Sequence, residues 1–238
     1  MPSNLSGRRI VITRPEADAR RLAERLRALG ATPIIAPAIR IEFTDPPELD
    51  VALARIAGYD WVIFTSRNGV EAVFRRTRDI AGPKVAAIGP ATAQALREHG
   101  VAPDLVPPEY VAEAVLEALG AVAGRRFLLP RADIAREALA AGLAERGAVV
   151  DEIAAYRTRH VTDRPQDFGR VDAVTFTSSS TVRGFLEAGP VPEGARIVCI
   201  GPVTARTARE YGLTVSAVAD AYTQDGLIAA LQSALAHG

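Results

Sequence analysis

Apolar residues in this chain fall into two alternating patterns. Short aliphatic or β-branched runs occupy residues 9–13, 32–37, 60–65, 84–88 and 104–106. Between them lie stretches whose apolar positions recur every three or four residues, as at Leu22, Leu26 and Leu29 before Gly30 ends the pattern. The spacing predicts helices over 18–29, 68–76, 92–99 and 109–119. The second half repeats the series, with strands expected near 126–130, 148–153, 172–177, 196–200 and 214–218. Short apolar strands alternating with amphipathic helices predict an α/β protein whose parallel sheets are covered on both faces. Five strands per half matches a doubly wound, flavodoxin-like sheet of order 2-1-3-4-5.

The halves are copies of one another. Gly7-Arg8-Arg9-Ile10-Val11-Ile12-Thr13-Arg14 returns as Gly124-Arg125-Arg126-Phe127-Leu128-Leu129-Pro130-Arg131, and Leu22, Leu26 and Gly30 return as Leu139, Leu143 and Gly147. Further on, Phe64-Thr65-Ser66 returns as Phe176-Thr177-Ser178, and Ile88-Gly89-Pro90 as Ile200-Gly201-Pro202. Thr92 and Tyr110 fall on Thr204 and Tyr222 in the same frame. A repeat this long is a small domain rather than a solenoid unit. Two like lobes are expected to leave a cleft, and clefts are where small molecules bind.

Residues 38–43 and 154–160 exceed the needs of a simple βα unit. Both alternate apolar or aromatic side chains with polar ones, as an exposed two-stranded ribbon would. As equivalents they can pair antiparallel with each other and link the lobes. The halves would then be exchanged, with one lobe built from 1–37 and 161–238 and the other from 44–153. A contiguous arrangement, one lobe per copy, stays open on these residues alone.

Composition narrows the chemistry. With 48% hydrophobic residues there is material for two cores, and 28 basic residues balance 28 acidic ones. A neutral chain offers no global field to nucleic acid or to an anionic membrane, so neither is an expected partner. Lys84 is the only lysine and opens a predicted strand, at the end away from where open α/β sheets bind ligands, which argues against Schiff-base chemistry. Cys199 is the only cysteine, inside the apolar run Ile197-Val198-Cys199-Ile200, and reads as a small buried hydrophobe. His99, His160 and His237 are scattered, so no metal is expected, and His99 suits a helix C-terminus. No apolar stretch approaches a membrane span and the N-terminus lacks a signal-peptide core, so a soluble, cytoplasmic protein is expected. No surplus apolar surface is evident, which favours a monomer.

The loop after the first strand, Thr13-Arg14-Pro15-Glu16, has no glycine cluster for a nucleotide pyrophosphate. What remains are four strand-to-helix turns bearing hydroxyls, at Ser66, Thr92, Ser178 and Thr204. Such turns line the carboxyl edge of a parallel sheet, and each opens a helix whose first amides lack partners. Helix N-termini hold carboxylate or phosphate without a basic side chain. Simple N-capping, at about 1 kcal/mol per residue, is the plain alternative for any one of them. Four, paired by duplication, point to ligand binding. Arg14 and Arg131 are equivalent positions at strand carboxyl ends, placed either to meet an anion or to form surface ion pairs. Tyr156 has no tyrosine counterpart, because Ile39 takes the matching place, and it could donate a proton or simply pack. The matched pair Tyr110 and Tyr222 reads as shared architecture.

Several of these segments, taken in order, resemble uroporphyrinogen-III synthases. They are Ile63-Phe64-Thr65-Ser66-Arg67-Asn68-Gly69-Val70, Ile88-Gly89-Pro90-Ala91-Thr92-Ala93, Ala155-Tyr156-Arg157-Thr158, Phe176-Thr177-Ser178 and Ile200-Gly201-Pro202-Val203-Thr204-Ala205. The likeness extends from Arg8 to about Leu231. It implies two flavodoxin-like lobes with exchanged halves, joined by a two-stranded ladder. It also implies closure of hydroxymethylbilane to uroporphyrinogen III, with ring D inverted and water lost, on the route to haem, sirohaem and cobalamin. No metal or organic cofactor is implied, and the substrate would be handed over by hydroxymethylbilane synthase. By position, Thr204 matches a threonine important in that family and Tyr156 its proposed proton donor. Ser66, Thr92 and Ser178 match hydroxyls that line the cleft, whereas Arg14 and Arg131 match no family motif. The competing expectation is a cytosolic two-lobed protein that binds or senses a small anion; a nucleotide-dependent transferase is disfavoured by the missing phosphate loop.

Overall fold

The computed structural model describes residues 5–133, 138–163 and 167–236; His237 lies outside them. The chain runs β1 (Arg9–Ile12), α1 (Glu16–Ala28), β2 (Thr32–Ile35), β3 (Ile39–Phe43), α2 (Pro47–Ala54), β4 (Trp61–Phe64), α3 (Arg67–Phe74), β5 (Lys84–Ala87), α4 (Pro90–Glu98) and α5 (Ala112–Leu119). It continues as β6 (Arg126–Ala132), α6 (Ala138–Glu145), β7 (Val149–His160), β8 (Ala173–Phe176), α7 (Ser179–Ala188), β9 (Arg196–Cys199), α8 (Pro202–Glu210), β10 (Val215–Val218) and α9 (Gln224–Ala236). Gly30, at φ +82°, takes the left-handed conformation that ends α1. Pro47 sits in the first turn of α2, where its fixed φ suits a helix start; the apolar pattern did not anticipate this element.

Two compact units result: Met1–Arg40 with Arg159–Gly238, and Ile41–Thr158. The sheet of the first has the order β10-β9-β8-β1-β2, all parallel. Read from β2 this is 2-1-3-4-5, the flavodoxin-like order. In the second unit β7, β6, β4 and β5 take the first four places of the same order, again in parallel. The fifth place, expected as a strand over 104–106, is a single bridge between Ala86 and Leu105. Pro103, Pro107 and Pro108 flank it, and proline cannot donate to a ladder.

β3 lies along the outer edge of β7. Val161 N–H donates to Ala38 O at 3.0 Å and Thr44 N–H to Ala155 O at 3.2 Å, so one strand ascends as the other descends. The stretches 148–153 and 154–160, expected as a strand and a separate ribbon, are one continuous strand, β7.

Each sheet is buried on both faces, and the strand period of two sorts its side chains between them. In β1, Ile10 and Ile12 join Leu22, Leu26 and Leu231 in one core, while Val11 joins Phe176 and Phe185 in the other. In β4, Val62 and Phe64 pack with Val70 and Leu96, and Ile63 packs with Phe127 and Leu143. Each such side chain, fully buried, contributes about 1.5–3 kcal/mol.

Polar side chains fix the strand starts twice over. Asp172 accepts the Arg9 N–H at 2.8 Å, and Asp60 accepts the Arg126 N–H at 2.7 Å. Arg9 and Arg126 are equivalent by duplication, as are Asp60 and Asp172, so each bond ties one copy to the other. One strand further out, Asp104 accepts the Val85 N–H at 2.7 Å and its counterpart Ser216 accepts the Ile197 N–H at 3.2 Å.

Two helical glycines discriminate backbone from side-chain contacts. A Cβ on Gly184 in α7 would stand 2.3 Å from Ala38 O, the carbonyl that already accepts Val161 N–H. On Gly142 in α6 it would meet only side-chain atoms of Leu116, at 2.5 Å from Cδ1. Gly184→Ala is therefore expected to cost about 1–3 kcal/mol in urea unfolding, because backbone must shift. Gly142→Ala should cost clearly less, since Leu116 can turn and alanine favours helix.

Candidate active site

Tyr156 stands where β7 departs from regular pairing. Arg131 of β6 pairs with Ala154 and Ala132 with Tyr156, so Ala155 is passed over. A bulge of this kind bends its strand and re-aims the next side chain. The phenol is 6% exposed, and its oxygen lies 2.8 Å from Ser66 Oγ in the turn after β4. Ser66 is also the N-cap of α3, accepting the Gly69 N–H at 3.0 Å. That leaves Ser66 its hydrogen and a second lone pair for Tyr156. Gly69 permits the approach: a Cβ there would stand 2.7 Å from Pro130 O of β6.

Burial pushes the Tyr156 hydroxyl above the usual tyrosine range. Hydrogen bonds from Ser66 and Asn68 oppose the shift and the nearby Asp133 carboxylate adds to it. At neutral pH the group is a phenol that keeps its proton. Asp133 is also tied to this strand through its own N–H, which donates to Tyr156 O at 3.0 Å. Asn68 and Asp133 were not singled out from the sequence. Asn68 lies inside the Thr65-Ser66-Arg67-Asn68 turn, where hydroxyls alone drew attention, and Asp133 is brought in by the pairing of β6 with β7.

The equivalent turn in the first unit is closed on itself. Ser178 caps α7, accepting the Thr181 N–H at 3.1 Å, while Thr181 Oγ1 accepts the Ser178 N–H at 3.1 Å. This reciprocal capping box uses the hydroxyl locally. Gly69 stands where the first unit has Thr181, and Tyr156 where it has Ile39.

Thr92 and Thr204 behave differently from the two serines. The N-caps of α4 and α8 are Gly89 and Gly201, and no side chain caps either helix. The threonines stand in the first turn, 5% and 4% exposed. Capping thus accounts for Ser66 and Ser178 but not for Thr92 and Thr204. The first amides of α4 and α8 have no side-chain acceptor, which is the condition for meeting an anion.

All of these groups lie at the carboxyl edges of their own sheets. Ser66, Thr92, Tyr156 and Arg131 belong to the second unit, and Ser178, Thr204 and Arg14 to the first. Arg14 lies 3.6 Å from Asp18, and Arg131 Nε 2.5 Å from Glu152. Cys199 is buried, and burial pushes its thiol up to about 12, which leaves it inert. His99 stacks on Phe74 with ring centres 4.4 Å apart. Among the described residues no group of three or more His, Cys, Asp or Glu could hold a metal ion.

Removing Ser66 should act on Tyr156 in a stated direction. With one opposing hydrogen bond gone, Ser66→Ala is expected to move the Tyr156 ionisation to still higher pH. Phenolate absorbance, taken as the difference from Tyr156→Phe, reads it. Loss of the cap should cost about 1 kcal/mol as well.

The family model described as uroporphyrinogen-III synthase HemD matches residues 20–229. A uroporphyrinogen-III synthase from Synechococcus elongatus is 35% identical, covering 96% of this chain and 96% of its own length. A putative uroporphyrinogen-III synthase from Methanothermobacter thermautotrophicus is also 35% identical, over 93% of this chain and 96% of that protein. In three dimensions, a mutant uroporphyrinogen III synthase from the extremely thermophilic bacterium Thermus thermophilus superposes with a TM-score of 0.66 at 23% identity, covering 98% of this chain and 100% of that one. The synthetase from Helicobacter pylori 26695 gives 0.65 at 20%, covering 97% and 100%. The structural likeness carries the fold, and the matches of sequence over nearly the whole length carry the kinship: the chain belongs to the uroporphyrinogen-III synthase family.

Proposed function

We propose that this protein closes the linear tetrapyrrole hydroxymethylbilane to uroporphyrinogen III, inverting ring D and releasing water. The observation that carries the assignment of roles is the Tyr156–Ser66 pair, a buried protonated phenol beside a helix N-cap, in the unit where the duplication is broken. In this reading Tyr156 gives its proton to the departing hydroxyl of the bilane, which leaves as water. The electrophilic azafulvene that results can close without help to the type I ring. The protein must instead hold the chain so that closure occurs at the substituted carbon of ring D, through a spiro intermediate. Holding one conformer of a flexible chain is a task of proximity and orientation.

The substrate carries eight carboxylates, and the uncapped N-termini of α4 and α8 suit them, as do Thr92 and Thr204 in the same turns. Ser66 and Ser178 shape their turns, Ser66 also orienting Tyr156. Arg14 and Arg131 stand at the same edges, each beside a carboxylate, and serve as secondary contacts to the substrate. Because free bilane closes by itself to type I, receipt from hydroxymethylbilane synthase in the cytoplasm, by a monomer, completes the reading. No helix among the described residues is long and apolar enough to cross a membrane.

The decisive measurement supplies freshly made hydroxymethylbilane and determines the uroporphyrin isomers after oxidation. Type III should dominate, and a purely type I product would end the proposal. Tyr156→Phe is expected to lower kcat by about 10²-fold without abolishing turnover, the lower end of what a general acid contributes. Thr204→Ala should do more damage. The pH profile has a fixed sign. An acid catalyst must be protonated, and its pKa is raised, so the alkaline limb of kcat should lie above the ordinary tyrosine value of about 10. In Tyr156→Phe that limb should disappear.

A further inference from the structure

We infer that Tyr110 and Tyr222 are positioning residues for the cyclisation, each seating its ring on the glycine of the turn that carries Thr92 or Thr204. This rests on the function proposed above. The two glycines of these turns have a conformation that does not require glycine. Gly89 has φ −168° and ψ 177°, and Gly201 has φ −174° and ψ 173°, extended backbone that any residue adopts. What stands where a side chain would begin is a tyrosine ring. A Cβ on Gly89 would stand 3.2 Å from Tyr110 Cγ and 3.3 Å from Cδ1. On Gly201 it would stand 3.2 Å from Tyr222 Cδ1 and 3.4 Å from Cε1. The shorter of these are tighter than ordinary van der Waals contact, so a Cβ would push the ring a few tenths of an ångström off the backbone on which it now lies.

The arrangement occurs in both units, with equivalent tyrosines on equivalent glycines, and it takes the place of a cap. Neither α4 nor α8 has a side-chain cap; Pro90 and Pro202 fix φ at the first helical position, which leaves the glycine before each as the freest point of its turn. A ring lying on the glycine restores the restraint by contact. Packing alone does not explain the choice, because Tyr110 and Tyr222 remain 45% and 44% exposed at the carboxyl edges of their sheets. The threonines stand three positions beyond the seated glycines, so a turn that shifts carries its threonine with it. A misplacement of 1 Å can cost ~10²-fold in rate. In this reaction a poorly held intermediate has a second outcome, escape to the type I ring.

The test compares Tyr222→Leu, Tyr222→Phe and Gly201→Ala, with Tyr110→Leu, Tyr110→Phe and Gly89→Ala beside them. Rate and isomer ratio are read together on hydroxymethylbilane, and thermal unfolding checks the fold. Each leucine variant should lose about tenfold in type III formation and release a raised share of type I. Phenylalanine should restore both, since the ring and not the hydroxyl is invoked. Gly201→Ala should reproduce the Tyr222→Leu defect by displacing the ring, and should add little to it in the double variant. A role confined to stability would lower the amount of folded enzyme and leave the isomer ratio of the remainder unchanged. Folded leucine variants with wild-type rate and isomer ratio would overturn the inference; should leucine unfold the chain, wild-type behaviour of the folded alanine variants would do the same. Failure of the proposed function is read separately, as a wild-type protein that forms type I alone.

Discussion

The strand pairs at the centre of both sheets are made between the copies of the duplication and not within them. β1 of the first copy lies beside β8 of the second, and β6 of the second lies beside β4 of the first. Asp172 and Asp60 reinforce these joins by accepting the first amide of the strand across from them. Parallel strands buried on both faces tolerate no slip, because a one-residue shift would exchange the core side chains of the two faces. Everything at the carboxyl edges is positioned by this pairing. It also decides a chemical question: β7 follows β6 into the sheet that holds β4, so Tyr156 meets Ser66. In lobes made of one copy each, the same tyrosine would share a sheet with Ser178.

The contact between Ser66 and Tyr156 arises where the duplication ceases to be exact. Ser66 and Ser178 both cap helices, but Ser178 is enclosed in a reciprocal box with Thr181. Ser66 faces Gly69, which cannot close such a box, and the remaining hydrogen-bonding capacity goes to Tyr156. The phenol is in turn placed by the bulge at Ala155 and held neutral by burial. One unit thus keeps its serine in a local cap and the other shares it with a buried phenol. The second pair of turns kept its likeness, with glycine N-caps, uncapped amides and a buried threonine in each.

Much of this was legible in the chain. The alternation of short apolar runs with helical spacing gave the element order, since strand and helix periods are local properties of the backbone. Thr92 and Thr204 were marked by their turns, and Tyr156 by its lack of a counterpart. Other features were hidden for physical reasons. β7 looked like two segments because its counterparts by duplication, β2 and β3, are separate strands, whereas here the pairing with β6 runs on through Tyr156. The strand expected at 104–106 shrank to one bridge under the weight of three prolines. Asn68 and Asp133 carry no motif of their own and gain meaning only from what stands beside them.

By itself the sequence determined the class of fold, the twofold repetition and the residue types at each strand-to-helix turn, because these depend on neighbours along the chain. Which copy each strand would join was left to the tertiary structure, as were the hydroxyl open to Tyr156 and the rings resting on Gly89 and Gly201. Those depend on groups far apart in sequence, and a repeated pattern satisfies both of its possible partners equally until packing and register choose between them.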